Sequence, residues 1–171
     1  HAVLQRDRPI EIWGRAQPNE QVTVALDSYT RKTQADAAGA WAVTLPALRS
    51  GGKHTLTART ATRAQKVKDL LIGDVWLCSG QSNMEWPVSS AHNSTEAIAT
   101  ANDAMIRHFG VPHAFSEQPA EDVAGGSWAA ADPAHVGSFT AVGYFFAREV
   151  RKSVNVPIAL LHTSWGGSNI E

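Results

Sequence analysis

Only one cysteine, Cys78, stands in the chain. It can close no internal disulfide and cannot build a thiolate zinc cluster. Its neighbours in "VWLC" are apolar, so it reads as a small buried hydrophobe rather than a reactive thiol. An excess of charge is missing too. The 15 Lys and Arg stand against 16 Asp and Glu, a net charge of -1 with no basic block. A nucleic-acid partner therefore has no electrostatic footprint here. No run of about 18 apolar residues occurs, so no segment reads as a membrane-spanning helix and no membrane partner is implied. Neither a signal peptide nor an initiator Met opens the sequence, and His1 reads as a trimmed or partial beginning.

What is present suffices for a core. Hydrophobic residues make up 43% and charged residues 18%, the balance of a globular chain rather than a disordered one. A length of 171 residues allows one full domain, or a small domain with part of another. Residues 1–70 read as β. "QVTVALD" sets Val22, Val24 and Leu26 against Thr23, Ala25 and Asp27, and "AWAVTLPAL" alternates Trp41, Val43 and Leu45. "KHTLTARTA" is Thr-rich, with Leu56 and Ala58 on one face. Alternation of this kind buries one face of a strand and wets the other. The segments "QPNE", "DAAG" and "RSGGK" supply turns between them, so this part is expected to be a small antiparallel sandwich.

From residue 71 to residue 171 the pattern is α/β. "LLIGDVWLCSG" and "VPIALLHTSWGG" are nearly continuous apolar runs, as in parallel strands buried on both faces. "TEAIATANDAMIRHF" has helical spacing, with Ile98, Ala101 and Met105 on one side. "VGYFFAREVRKSV" reads as a second helix, with Phe145, Phe146 and Val150 apolar and Arg148, Glu149, Arg151 and Lys152 wet. Strand, helix, helix, strand implies a parallel sheet with right-handed crossovers.

Chemistry concentrates in "DVWLCSGQSNMEW". Active groups of open α/β sheets sit where strands end at their carboxyl edge. Ser82 falls at such an end, Gly80 allows a sharp bend, and the N–H groups past the turn suit an oxyanion. That arrangement fits acyl transfer by a serine hydroxyl, which also needs a base and an orienting acid. Ser79 is the rival serine and lies nearer the strand. The histidines on the α/β side are His92, His108, His113, His135 and His162. The Gly-x-Ser-x-Gly elbow of lipases is absent, because Asn83 and Met84 follow the serine.

"SGQSNMEWPV", "FTAVGYFFAREV" and "VPIALLHTSWGGSNIE" closely resemble the sialate O-acetylesterase-like carbohydrate esterases, a branch of the SGNH (GDSL-like) hydrolases. "HAVLQRDRPIEIWGRAQPNEQVTV" is similar to their amino-terminal β-domain, so the resemblance covers four separated segments in the family's order. It implies an incomplete three-layer α/β hydrolase domain behind the β-sandwich, and an esterase that removes O-acetyl groups from a carbohydrate through an acetyl-enzyme. Ser82 is implied as the nucleophile and, through its own N–H, as an oxyanion donor. Gly143 is implied as a second donor, the other reading being a glycine that only lets a helix start close to its neighbour. Gln81 and Asn83, which flank the nucleophile, either touch substrate or order the turn, and Trp86 and Trp165 either stack on a sugar ring or belong to the core. Gly166 and Gly167 are expected to allow close backbone approach. No metal and no organic cofactor is implied. A bacterial source and a periplasmic or secreted setting are.

Two family parts are missing from the sequence: an oxyanion Asn, and an Asp-x-x-His pair that supplies base and orienter. Both lie beyond "SWGGSNIE" in the family, so a carboxyl-terminal part of the same enzyme is the expected partner, alongside the acetylated carbohydrate. "DPAH" places Asp132 and His135 at the Asp-x-x-His spacing, but it precedes the "FTAVGYFF" helix in a region expected to be variable loop. It reads as turn chemistry. The alternative reading is a non-catalytic carbohydrate-binding or structural fragment.

Overall fold

The computed structural model describes residues 1–167, and the "SNIE" end of the last matching segment lies outside them. The chain divides into two compact units: Leu4–Gly73, and His1–Val3 together with the chain from Asp74 onward.

The first unit is built from strands that pair mainly in the antiparallel sense. In order these are β1 (Val3–Gln5), β2 (Ile10–Arg15), β3 (Gln21–Leu26), β4 (Tyr29–Gln34), β5 (Ala40–Leu45), β6 (Gly51–Arg59) and β7 (Ala64–Cys78). β4, β3, β6 and the first part of β7 lie side by side in one sheet, and β2 pairs with β5 in a second. The alternation read from the sequence is the one observed: Val22, Val24 and Leu26 are at most 1% exposed, and Leu45 joins them. Asp27 and Ser28 form the two-residue turn between β3 and β4, with Asp27 in the left-handed region at φ 50°. A short polar side chain tolerates that conformation. β4 carries no apolar alternation and gave no signal in the sequence, because it is exposed along nearly its whole length.

The second unit has a parallel centre. The end of β7, from Asp74 to Cys78, pairs in parallel with β10 (Ile158–His162), which pairs in parallel with β8 (Asp103–Gly110). β9 (Trp128–Ala131) adds to β8 in the antiparallel sense. Helices α1 (Ser82–Glu85), α2 (Ser94–Ala99) and α3 (Ala141–Ser153) connect them. The core collects Cys78, Val88, Ile106, Phe139, Tyr144, Ala147, Ile158 and Leu160. Burial pushes the Cys78 thiol pKa up, which keeps it protonated and unreactive.

Three expectations need correction. The helix read through "TEAIATANDAMIRHF" stops at Ala99, and Asp103–Gly110 is strand β8. Thr100 ends the helix, its hydroxyl donating to the Glu96 carbonyl at 2.8 Å. Ile106 then pairs with Ile158 and is fully buried, so strand pairing overrides the helical spacing. The expected loop "WAAADPAH" opens as strand β9. The buried face of α3 is Ala141, Gly143, Tyr144 and Ala147, while Phe145 and Phe146 stay more than a third exposed. Small residues let this helix lie close to the sheet. The large rings sit at its margin, Phe146 meeting Trp76 edge-on at 4.8 Å.

Gly143 is the tightest point of that contact. A Cβ there would lie 2.7 Å from Thr140 Cγ2 and 2.9 Å from Cys78 Sγ. Gly143→Ala is therefore expected to destabilise the chain by about 1 to 3 kcal/mol through overpacking, read as a lower midpoint in urea unfolding. An unchanged midpoint would show that helix and strand are not packed this closely.

Candidate active site

The parallel strands β7, β10 and β8 end at the same edge, and their following loops are stapled together. Thr163 N–H donates to the Cys78 carbonyl and Trp165 N–H to the Gly80 carbonyl, both at 3.0 Å. Val111 N–H donates to the His162 carbonyl at 2.9 Å. Ser82 follows β7, His113 follows β8, and Ser164 to Gly167 follow β10. The loop after β7 bends at Gly80, whose φ of 138° side-chain-bearing residues rarely adopt. Gln81 then caps α1 through its carbonyl, which accepts from Met84 N–H at 2.9 Å and Glu85 N–H at 3.0 Å. Ser82 opens the helix, is exposed, and its N–H has no hydrogen-bond partner among the described residues.

Gly166 lies directly against the Ser82 side chain. A Cβ at Gly166 would fall 3.2 Å from Ser82 Oγ and 2.5 Å from Glu85 Oε2. The Gly166 N–H donates to Glu85 Oε2 at 2.6 Å. The other oxygen, Glu85 Oε1, is 3.3 Å from His113 Nε2. That nitrogen also lies 3.0 Å from the Ser164 carbonyl, which can only accept, so Nε2 carries the hydrogen. The His113 ring stacks flat on Trp165, with centroids 4.4 Å apart and planes 2° from parallel.

Two further histidines lie beneath. His162 Nε2 is hydrogen-bonded to the Ser164 hydroxyl. His108 is 6% exposed, stacks on Phe139 at 4.4 Å, and its Nε2 has no hydrogen-bond partner. Burial, and then the neighbouring His162, push its pKa down to about 4. Burial also lowers that of His162, against an opposing pull from Glu85. Among the described residues no histidine is hydrogen-bonded to Ser82, and no cluster of three or more His, Cys, Asp or Glu is placed to hold a metal ion.

The residues singled out from the sequence part company here. Ser82 and Trp165 come together at the strand edge. Gln81 is the helix cap. Asn83 is exposed beside Ser82, and Trp86 is 55% exposed with its indole N–H donating to the Ser90 carbonyl at 3.0 Å. Gly143 lies in the first turn of α3. It is buried against β7 and β10, and its N–H donates to Thr140 Oγ1 at 3.4 Å in the helix cap. Gly166 is the glycine that touches the serine. Asp132 and His135 do pair, at 2.8 Å, but Asp132 Oδ1 also accepts from the N–H groups of Ala134 and His135, so the pair closes the turn after β9. Desolvation raises the Asp132 pKa but the His135 hydrogen bond and charge outweigh it, and it ends below the ordinary value. Glu85 and His113 went unassigned in the sequence, because their partners are far away along the chain.

No protein-family model matches the chain. Sialate O-acetylesterase of Mus musculus is 34% identical over 190 residues, covering 100% of this chain and 35% of the relative. The Homo sapiens sialate O-acetylesterase is 32% identical, covering 94% of this chain and 34% of the relative. The crystal structure of a carbohydrate acetylesterase from Xanthomonas citri superposes with a TM-score of 0.97 at 48% identity, over 99% of this chain and 39% of that one. The chain belongs to the sialate O-acetylesterase-like family. It spans about a third of the length of the curated relatives it matches. The same superposition covers the antiparallel β unit and the parallel-stranded unit alike, so the family's fold extends through both.

Within this family fold His108 makes a pH prediction. The folded chain keeps it neutral to about pH 4, while the unfolded chain takes up a proton near 6.5. The unfolded state thus binds more protons in that window, and stability falls with acid from 6.5 toward 4 and is fully present above 6.5. The loss is roughly 3 kcal/mol across the whole window. His108→Phe, which keeps the stack on Phe139, is expected to flatten the dependence in urea unfolding between pH 7 and pH 4.5. Equal slopes in the two proteins would contradict the assignment.

Proposed function

We propose that Ser82 is the nucleophile of a carbohydrate O-acetylesterase. The substrate is an acetylated glycan or sialic acid, met in a periplasmic or secreted setting. The observation that carries this reading is the packing of the Gly166 backbone against Ser82 Oγ at the carboxyl edge of the parallel strands, with the Ser82 N–H unpartnered among the described residues. Family membership supports the acetylesterase class.

In the proposed reaction Ser82 Oγ attacks the acetyl carbonyl and its proton passes to a histidine base. The carbonyl oxygen takes up negative charge and is met by the Ser82 N–H. The sugar hydroxyl leaves with the proton, and water then hydrolyses the acetyl-enzyme. The base and its orienting acid are assigned to an Asp-x-x-His pair in a carboxyl-terminal part of the enzyme. No histidine described here is bonded to the serine, and the Asp132–His135 pair is engaged in its own turn. Trp165, stiffened on one face by His113, is the aromatic surface offered to a sugar ring.

The test is acetyl-ester turnover by the enzyme that contains this chain together with that part. Ser82→Ala is expected to lower kcat by roughly 10⁶-fold with an unchanged circular dichroism spectrum, and His135→Ala to stay within about twofold of the parent. A Ser82→Ala protein that turns over normally contradicts the mechanism. A folded but inactive His135→Ala protein would return the base to the Asp132–His135 pair.

A further inference from the structure

The Glu85 carboxylate touches the loops that follow all three parallel strands. It belongs to α1, which follows β7. Oε2 accepts from the backbone of Gly166, which follows β10, at 2.6 Å. Oε1 faces His113, which follows β8, at 3.3 Å. Ser82 and Glu85 occupy the first and last positions of the same four-residue turn of helix. Residues three apart share a helix face, so the carboxylate and the hydroxyl leave the turn on one side. Gly166 lies against both, and its absent Cβ marks the narrowness of the gap.

We propose that Glu85 is the positioning residue of the site: its carboxylate fixes the Gly166–Gly167 turn against the Ser82 hydroxyl and, through His113, sets the plane of Trp165. The assignment rests on Ser82 being the nucleophile. A hydrogen bond from a backbone N–H to a carboxylate is charge-assisted and about twice as strong as a neutral one. Because a helical turn is stiff, holding Gly166 at Glu85 also holds it at Ser82. With its N–H taken, Gly166 does not itself meet the oxyanion. What it contributes is the location of the backbone that follows, where the Gly167 N–H has no partner among the described residues. A displacement of about 1 Å around a reacting centre costs on the order of 10²-fold in rate.

The experiment compares Glu85→Ala, Glu85→Gln and Ser82→Ala in the complete enzyme, reading kcat, KM and thermal midpoint. Glu85→Ala is expected to lose about 10²-fold in kcat with KM for a minimal acetyl ester and the thermal midpoint little changed. Glu85→Gln keeps an oxygen for the Gly166 N–H and is expected to recover about tenfold of that loss. A structural role alone would move the midpoint and would not separate kcat from KM. If Glu85→Ala does not fold, Glu85→Gln decides: a kcat below the parent at unchanged KM supports the proposal, and a parental kcat overturns it. Parental kcat in Glu85→Ala, beside an inactive Ser82→Ala, overturns the positioning role and leaves the nucleophile standing. Activity in Ser82→Ala removes the nucleophile itself.

Discussion

The parallel pairing of β10 between β7 and β8 is the constraint on which the site depends. Ile158 is registered on Asp74 to one side and on Ile106 to the other, and His162 on Cys78 and Gly110. Parallel strands that start in register finish together, so the loops after them emerge at one edge. Ile158, Ala159 and Leu160 are fully buried and hold that register. A polar cluster drawn from positions 82, 85, 113, 164 and 166 follows from this alone, without any of those residues being near the others in sequence.

The site combines an exposed hydroxyl with a closely held backbone. Ser82 is exposed and its own N–H has no partner among the described residues, whereas Glu85, His113, Ser164 and Trp165 bind one another. An exposed nucleophile gains little from flexibility around it, since orientation of the reacting groups dominates its rate. Beneath this layer His108 and His162 are held toward the neutral form by burial. The Glu85 carboxylate, on the same turn of helix as Ser82, is held by a backbone N–H and an imidazole.

Much of this was legible from residues close in sequence. Alternation at Val22, Val24 and Leu26 reports a strand because it is a local, one-face burial. Ser82 was singled out because an apolar strand runs into Gly80, Gln81 and Asn83, and the structure places it at the carboxyl edge of the parallel strands. β8 was hidden because Ile98, Ala101 and Met105 also satisfy helical spacing, and only the pairing of Ile106 with Ile158 decides between the two. Gly143 carried two readings for a similar reason. A glycine at a helix start suits both an oxyanion donor and a close helix–sheet contact, and its surroundings, Cys78 and Leu160, come from distant strands. Glu85 carried no local signal, because Gly166 lies 81 residues further along the chain.

The central claim is that Ser82 is an activated nucleophile, and covalent labelling tests it most directly. The complete enzyme is treated with a fluorophosphonate and digested, and the peptides are weighed. The account predicts one stoichiometric adduct, located on Ser82 in the peptide carrying "SGQSNMEW" and absent after Ser82→Ala. An active enzyme that takes up the label at another serine, or that leaves Ser82 unmodified while the ester is turned over, contradicts it.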